Sequence, residues 1–339
     1  MWGAVTAAFS YTCALVVGNG HTYCWGPSAP FMSSTGYTQI YKTTVKNKTI
    51  PLSLSSISCT YTHCCGVGKK GTVWCFGDNG AGECGSLSPP TVDSRHAQKV
   101  VGLPMVSTIC VGRSYTCALD SKGGVWCWGQ GMFAVLGDRN VPYGKGDFSN
   151  EATPLQLQEM DPMSQLNCAD THVCANRKND SMPFCWGFSN AGQIPGILGV
   201  SFFPVSLGVP SSQVVGGGWH TCVWVPDASL RCWGANQYGQ APSQISAPSS
   251  LLGLGSGLYT TYMLGTNRKL YAIGQNVLSL PTYSRLPILV SGSLYVSSFS
   301  ASSTHLCVIT TNQQLWCGGQ NWGSGWGSSA VLVQMGAHT

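Results

Sequence analysis

Apolar and polar positions along this chain follow no helical period. They fall into short β-rich runs, such as Ala4-Val-Thr-Ala-Ala-Phe9 and Ala330-Val-Leu-Val-Gln-Met335, separated by turn residues. The longest uninterrupted apolar stretches, Pro287–Val290 and Ala330–Val333, fall far short of the roughly 20 residues a membrane-crossing helix needs. The pattern therefore predicts an all-β protein with no transmembrane helix.

The runs repeat. Tyr115-Thr-Cys-Ala-Leu-Asp-Ser-Lys-Gly-Gly-Val-Trp-Cys-Trp-Gly129 and His220-Thr-Cys-Val-Trp-Val-Pro-Asp-Ala-Ser-Leu-Arg-Cys-Trp-Gly234 share one template, in which His or Tyr stands two residues before a first cysteine and a second cysteine precedes an aromatic and a glycine. The template recurs over Tyr11–Gly26, His63–Gly77 and His172–Gly187. It recurs again over His305–Gly319, where Gly318 replaces the aromatic, and in degenerate form over Thr260–Gly274. The period is about 49 residues, which divides the 339 residues into close to seven units, each the size of a propeller blade. The expected architecture is one seven-bladed β-propeller over residues 1–339, built from antiparallel four-stranded blades. Because the chain starts midway through a unit, pairing of its N- and C-terminal strands within one blade is expected to close the ring.

Seventeen cysteines make disulfides or metal ligation the next question. In each unit the two template cysteines flank a turn, so they face each other across an antiparallel hairpin at a separation a disulfide can span. The predicted bridges join Cys13 to Cys24, Cys65 to Cys75, Cys117 to Cys127, Cys174 to Cys185, Cys222 to Cys232 and Cys307 to Cys317. The degenerate unit has Tyr262 and Ala272 at the two equivalent positions and so loses both partners together. Cys59, Cys64, Cys84, Cys110 and Cys168 remain. Cys59, Cys110 and Cys168 lie six or seven residues before a template cysteine, where they are placed to link adjacent blades. The odd remainder leaves a buried thiol or an intermolecular bridge.

Charged residues make up only 9% of the chain, against roughly 25% in an ordinary soluble domain, and the formal charge of +5 is thinly spread. That argues against a nucleic-acid partner. From Ser229 to Thr339 there is no Asp or Glu, so an acidic partner would favour that end. Bridges of this number belong to an oxidising compartment. Met1 is followed directly by the first predicted strand, so secretion would require a signal outside this numbering. The sequons Asn47-Lys-Thr49 and Asn179-Asp-Ser181 also favour a secretory route.

The repeat resembles the RCC1-like family, whose units carry an H-[TS]-[CA]-L strand, a [VL]-[WYF]-x-[WF]-G strand and a G-x-N-x-x-G-[QE]-x-G loop. The loop is visible as Gly77-Asp-Asn-Gly-Ala-Gly-Glu-Cys-Gly85, as Gly234-Ala-Asn-Gln-Tyr-Gly-Gln240 and, in its opening, as Gly319-Gln-Asn-Trp-Gly323. The resemblance implies a seven-bladed propeller, and paired cysteines in nearly every unit are most similar to the extracellular branch with crinkly-type receptor ectodomains. The family also includes exchange factors, ubiquitin-ligase modules and enzyme inhibitors, so it implies a fold more closely than an activity.

Candidate chemistry is sparse. His63, His172, His220 and His305 share one template position, but Tyr11 and Tyr115 replace them in units that keep both cysteines. A structural hydrogen-bonding role is expected, with no metal or other cofactor. No nucleophile elbow, zinc-protease motif or phosphate loop is present, and no enzymatic activity is expected. Tyr238, Trp322 and Trp326 follow the landmark glycines in loops that build propeller faces, where they offer flat surfaces to a ligand. The expected function is a non-catalytic extracellular scaffold that binds a protein partner or assembles with itself at the cell surface. A glycan-binding propeller using the loop aromatics is the alternative, and an RCC1-type nucleotide-exchange regulator the third reading.

Overall fold

A computed structural model describes residues 1–26, 37–43, 49–86, 96–137, 149–158, 160–275, 278, 283–320 and 329–335. Among the described residues seven sheets, antiparallel but for one pairing in blade 2, follow one another along the chain as the blades of a propeller. Their inner strands are Trp2–Ala7, Leu54–Cys59, Val106–Gly112, Met163–Cys168, Gln213–Gly216, Leu251–Ser256 and Val296–Ala301. No helix among the described residues is long and apolar enough to cross a membrane.

Six blades have four strands. Blade 2 has six, because the hairpin formed by Tyr41–Thr43 and Thr49–Pro51 adds to its outer strand His96–Lys99 through a parallel pairing. The expectation of four-stranded blades throughout is corrected there: the hairpin falls between blades 1 and 2 and covers an outer edge that would otherwise stay unpaired.

Closure also departs from the expectation. The N-terminal strand Trp2–Ala7 pairs within blade 1, and the C-terminal strand Ser329–Gln334 pairs within blade 7, so the two do not share a sheet. The outer strand of each blade follows its landmark glycine, so the chain begins at the start of a blade and not midway through one. The ring is sealed by packing instead. Trp2 and Trp25 share a buried cluster with Ile309, Leu315 and Met335, Ala7 N–H donates to Ser300 Oγ at 2.9 Å, and Trp2 N–H donates to the Gln313 carbonyl at 3.3 Å.

The landmark glycines have a common cause. Gly26, Gly77, Gly129, Gly187, Gly234, Gly274 and Gly319 all adopt positive φ, and a Cβ at any of them would come within 2.8 Å of a carbonyl oxygen in the loop joining the first two strands. At six of the seven, the residue after the glycine donates its N–H to that same carbonyl, as Gln130 does to Ser114 at 2.8 Å.

A second regularity links consecutive blades. His63 Nε2 lies 2.9 Å from Thr116 Oγ1, His172 Nε2 2.8 Å from Thr221 Oγ1, His220 Nε2 2.9 Å from Thr261 Oγ1, and His305 Nε2 2.8 Å from Thr12 Oγ1. Each histidine thus reaches the threonine beside the template position in the following blade. Where the following blade has Cys64 or Val173 at that site, the preceding blade carries a tyrosine, and its hydroxyl donates to main-chain carbonyls: Tyr11 to Thr60 at 2.8 Å, Tyr115 to Ala169 at 2.6 Å. All four histidines are fully buried, and burial pushes their pKa down to about 3 at His63, His172 and His305 and to about 4 at His220. They are neutral hydrogen-bonding struts. Thr116→Val removes the acceptor for His63 and the donor to the Glu83 carbonyl without changing shape, so it is expected to cost roughly 1–3 kcal/mol in chemical denaturation. Thr116→Ser should retain most of the stability.

Eight disulfides are present. Six close the hairpins between second and third strands: Cys13–Cys24, Cys65–Cys75, Cys117–Cys127, Cys174–Cys185, Cys222–Cys232 and Cys307–Cys317. Cys110–Cys168 joins blade 3 to blade 4. Cys59 was expected at such a link and instead pairs with Cys64 in its own blade, because Cys64 stands directly opposite it. At the equivalent pair in blade 4, Cys168 faces Val173, so its partner comes from the neighbouring blade. Cys84 is a buried thiol whose Sγ donates to the Asp78 carbonyl at 3.2 Å.

Candidate functional site

The inner strands surround a central cavity of about 440 Å³ lined by residues from all seven blades, among them Thr6, Ser58, Val111, Asn167, Gly216, Gly255 and Ser300. Small side chains and bare backbone leave this space open. Neighbouring inner strands are tied by side chain to main chain bonds across the junctions. Cys59 N–H donates to Thr6 Oγ1 at 3.0 Å, Val111 N–H to Ser58 Oγ at 3.1 Å, and Gly216 N–H to Asn167 Oδ1 at 2.7 Å. Between blades 3 and 4 the Cys110–Cys168 bridge holds that place in the series.

At one end of the cavity, the loops joining first and second strands meet the longer loops that follow the third strands. This face is aromatic. Phe9, 43% exposed, stacks on Tyr61 with ring centroids 5.1 Å apart, and the exposed Arg113 guanidinium lies 5.5 Å from the Tyr61 centroid. The Tyr61 hydroxyl donates to Asp170 Oδ2 at 3.0 Å, tying blade 2 to blade 4 beside the cavity mouth. Burial raises the Asp170 carboxyl pKa, while the Tyr61 hydrogen bond and the Arg113 charge pull it back. Burial and the Asp170 charge push the Tyr61 phenol up.

The arc continues through Phe133, Phe188 and Trp219, with centroid separations of 5.1 and 5.8 Å. Phe133 holds a left-handed backbone at φ 70°, a conformation that side-chain-bearing residues adopt at a cost. Tyr238 lies on the same face, 5.2 Å from Tyr259 and 6.2 Å from Tyr283, which is 57% exposed. Of the three loop aromatics singled out in the sequence, Tyr238 thus joins the arc; Trp322 and Trp326 lie outside the described residues. Phe9, Tyr61 and Trp219 were missed because each sits in the short loop just before the repeat template. The usable signal was the aromatic or charged residue two places before the template at Phe9, Tyr61, Arg113 and Asp170, with Trp219 and Tyr259 one place before it.

Such a face can stack flat groups, exchange hydrogen bonds at Asp170 and attract anions at Arg113. The four template histidines are withdrawn into the blade junctions and present no base to it. On the opposite face, Asn179 is exposed in the turn between the second and third strands of blade 4, beside Arg177, which pairs with Asp161 at 2.9 Å and Asp180 at 2.6 Å. Asn47 lies outside the described residues.

Residues 54–83, from the inner strand of blade 2 into its long loop, match the Regulator of chromosome condensation (RCC1) repeat. The Ultraviolet-B receptor UVR8 of Arabidopsis thaliana is 26% identical over 247 residues, covering 70% of this chain and 54% of the receptor. The chain thus spans about half the length of that relative. Among solved structures, Prp20p from Saccharomyces cerevisiae superposes with a TM-score of 0.76 at 17% identity over 95% of this chain and 87% of its own. The CRINKLY WD40 ectodomain of the Arabidopsis thaliana receptor kinase ACR4 does so with a TM-score of 0.60 at 15% identity, over 98% and 97%. The repeat match inside blade 2 and the relative aligned over most of the chain make this protein similar to RCC1-repeat proteins, and its seven blades share the propeller fold of the solved structures.

Proposed function

We propose that this propeller is a non-catalytic scaffold of the cell exterior that binds a protein partner through its aromatic face. The observation that carries the reading is the arc from Phe9 to Tyr283, which sets aromatic surface and an Arg–Tyr–Asp cluster at the cavity mouth on a framework with bridges in six of seven blades. Aromatic and arginine side chains on rigid supports are the usual anchors of protein interfaces. The disulfides support an oxidising compartment, as does the exposed Asn179 sequon, which we assign as a glycan site. The receptor-ectodomain neighbour supports the same setting, and the solved complex of Prp20 with Kap60, together with the binding of Prp20p to Gsp1p and histones, supports a protein as the class of partner.

The test is capture of cell-surface proteins from the source organism by the immobilised native chain, compared with Phe9→Ala and Trp219→Ala variants. At least a tenfold loss of the captured partner is expected with each variant, with the thermal midpoint held within a few degrees. Unchanged capture by both would remove the aromatic face from the interface. Tyr238, Tyr259 and Tyr283 keep the glycan reading as a second arm: retention on a polysaccharide column that Tyr238→Ala abolishes would favour a sugar over a protein.

A further inference from the structure

At the junction between blades 1 and 2 a sulfur stands where four other junctions place a threonine hydroxyl. At three junctions the threonine that receives the histidine also lies against the bridge cysteine of the preceding blade. Thr116 Oγ1 is 3.6 Å from Cys65 Sγ, Thr261 Oγ1 is 3.4 Å from Cys222 Sγ, and Thr12 Oγ1 is 3.8 Å from Cys307 Sγ. In blade 2 a cysteine takes the place of that threonine. The same packing therefore sets Cys64 Sγ 3.8 Å from Cys13 Sγ, with the Tyr11 hydroxyl 3.4 Å from Cys64 Sγ.

Both sulfurs are already bonded, Cys13 to Cys24 and Cys64 to Cys59, so two disulfides from two blades meet in one buried site. The sulfurs of Cys13, Cys59 and Cys64 all lie within 4.8 Å of one another, near enough to gather on a metal ion. The surroundings decide between the two chemistries. Leu15, Ile40, Leu52, Leu54 and Phe76 share the buried cluster, and an apolar site favours neutral disulfides over several thiolates collected around a cation.

We propose that Cys13, Cys24, Cys59 and Cys64 form a thiol–disulfide exchange centre that a dithiol converts from two bridges within blades to one bridge between them. The dithiol opens Cys13–Cys24, giving up two electrons and two protons as it closes to its own disulfide. The Cys13 thiolate then attacks Cys64 Sγ. The Cys59–Cys64 bond breaks, its electron pair leaves on Cys59, and Cys59 takes up the proton that Cys13 released. The product carries Cys13–Cys64 and thiols at Cys24 and Cys59, and it staples blade 1 to blade 2 as Cys110–Cys168 staples blade 3 to blade 4. This centre is independent of the partner assigned to the aromatic face.

Two single substitutions each supply the attacking thiol without any reductant. Cys24→Ser frees Cys13 beside Cys64, and Cys59→Ser frees Cys64 beside Cys13. Peptide mapping under non-reducing conditions, after alkylation at low pH, should find Cys13–Cys64 as the major bridge in both, with Cys59 alkylated in the first variant and Cys24 in the second. Cys59–Cys64 intact in the first and Cys13–Cys24 intact in the second would overturn the proposal. Wild-type protein under limiting dithiothreitol decides the case if either variant fails to fold. The expected result is the Cys13–Cys64 cross-link with alkylated Cys24 and Cys59; alkylation at Cys13 and Cys64 without that cross-link, or no change in either bridge, counts against it.

Discussion

Titrated downward from pH 8 with its disulfides intact, the protein is expected to lose stability steeply once the pH falls below about 6.5. The cause is four histidines that are neutral and fully buried in the folded state. Unfolded, each titrates near pH 6.5; folded, each resists protonation until the pH approaches 3 to 4. Their contribution is therefore fully present above the unfolded pKa and is lost as the pH falls towards the folded one, because only the unfolded chain takes up the protons. Each histidine adds about 1.4 kcal/mol per pH unit within that window. Glu83 and Asp170 pull the other way, since burial raises their folded pKa and favours the protonated native state, but they are two groups against four. The net slope is then roughly 3 to 5 kcal/mol per pH unit, enough to consume an ordinary folding free energy within two or three units. Urea unfolding at pH 8, 7, 6 and 5 measures it. A His220→Gln variant, which keeps a nitrogen donor for Thr261, should lower the slope by one proton; a flat profile between pH 7 and pH 5 would mean that the histidines are solvated.

Removing the Cys110–Cys168 bridge is expected to cost more than removing any one hairpin bridge. Its cysteines are 58 residues apart in sequence, against 10 for Cys117–Cys127. On the chain-entropy model that difference converts to roughly 4 kcal/mol for the long loop and roughly 3 kcal/mol for the short one. The structural setting adds to the contrast. The hairpin bridge reinforces strands that Tyr115, Thr116 and Leu119 already pair with the third strand, whereas the inner-strand junction of blades 3 and 4 relies on the disulfide where others use a hydrogen bond. Comparison of Cys110→Ala/Cys168→Ala with Cys117→Ala/Cys127→Ala by denaturant unfolding is the test, and double substitutions avoid stranding a free thiol. Equal losses would remove the special role of the inner-strand link.

Much of this organisation could be read from the residues because the repeat puts equivalent chemistry at a fixed offset. Paired cysteines around a turn can hardly face anything but each other, so the six hairpin bridges followed from spacing. The partners of the histidines were also written in the sequence, though one repeat further on: Thr116, Thr221, Thr261 and Thr12 each follow a unit with histidine, while Cys64 and Val173 follow units with tyrosine. Seeing that needs comparison of consecutive units with a shift of one residue. Closure was misread because the landmark glycine was taken as the end of a blade when the outer strand still follows it. The added hairpin of blade 2 carries no template residue and left no repeat signal. The bond from Tyr61 to Asp170 joins residues 109 apart, and only the curvature of the ring brings them together.

Non-reducing peptide mass spectrometry of protein purified from its native source tests most directly whether the propeller is stitched by disulfides, as the proposed oxidising compartment requires. Eight bridges, including Cys110–Cys168 and the six hairpin pairs, together with a thiol at Cys84 and glycan on Asn179, are the predicted result. Free thiols at the template cysteines with a bare Asn179 would contradict it and turn attention to an intracellular regulator.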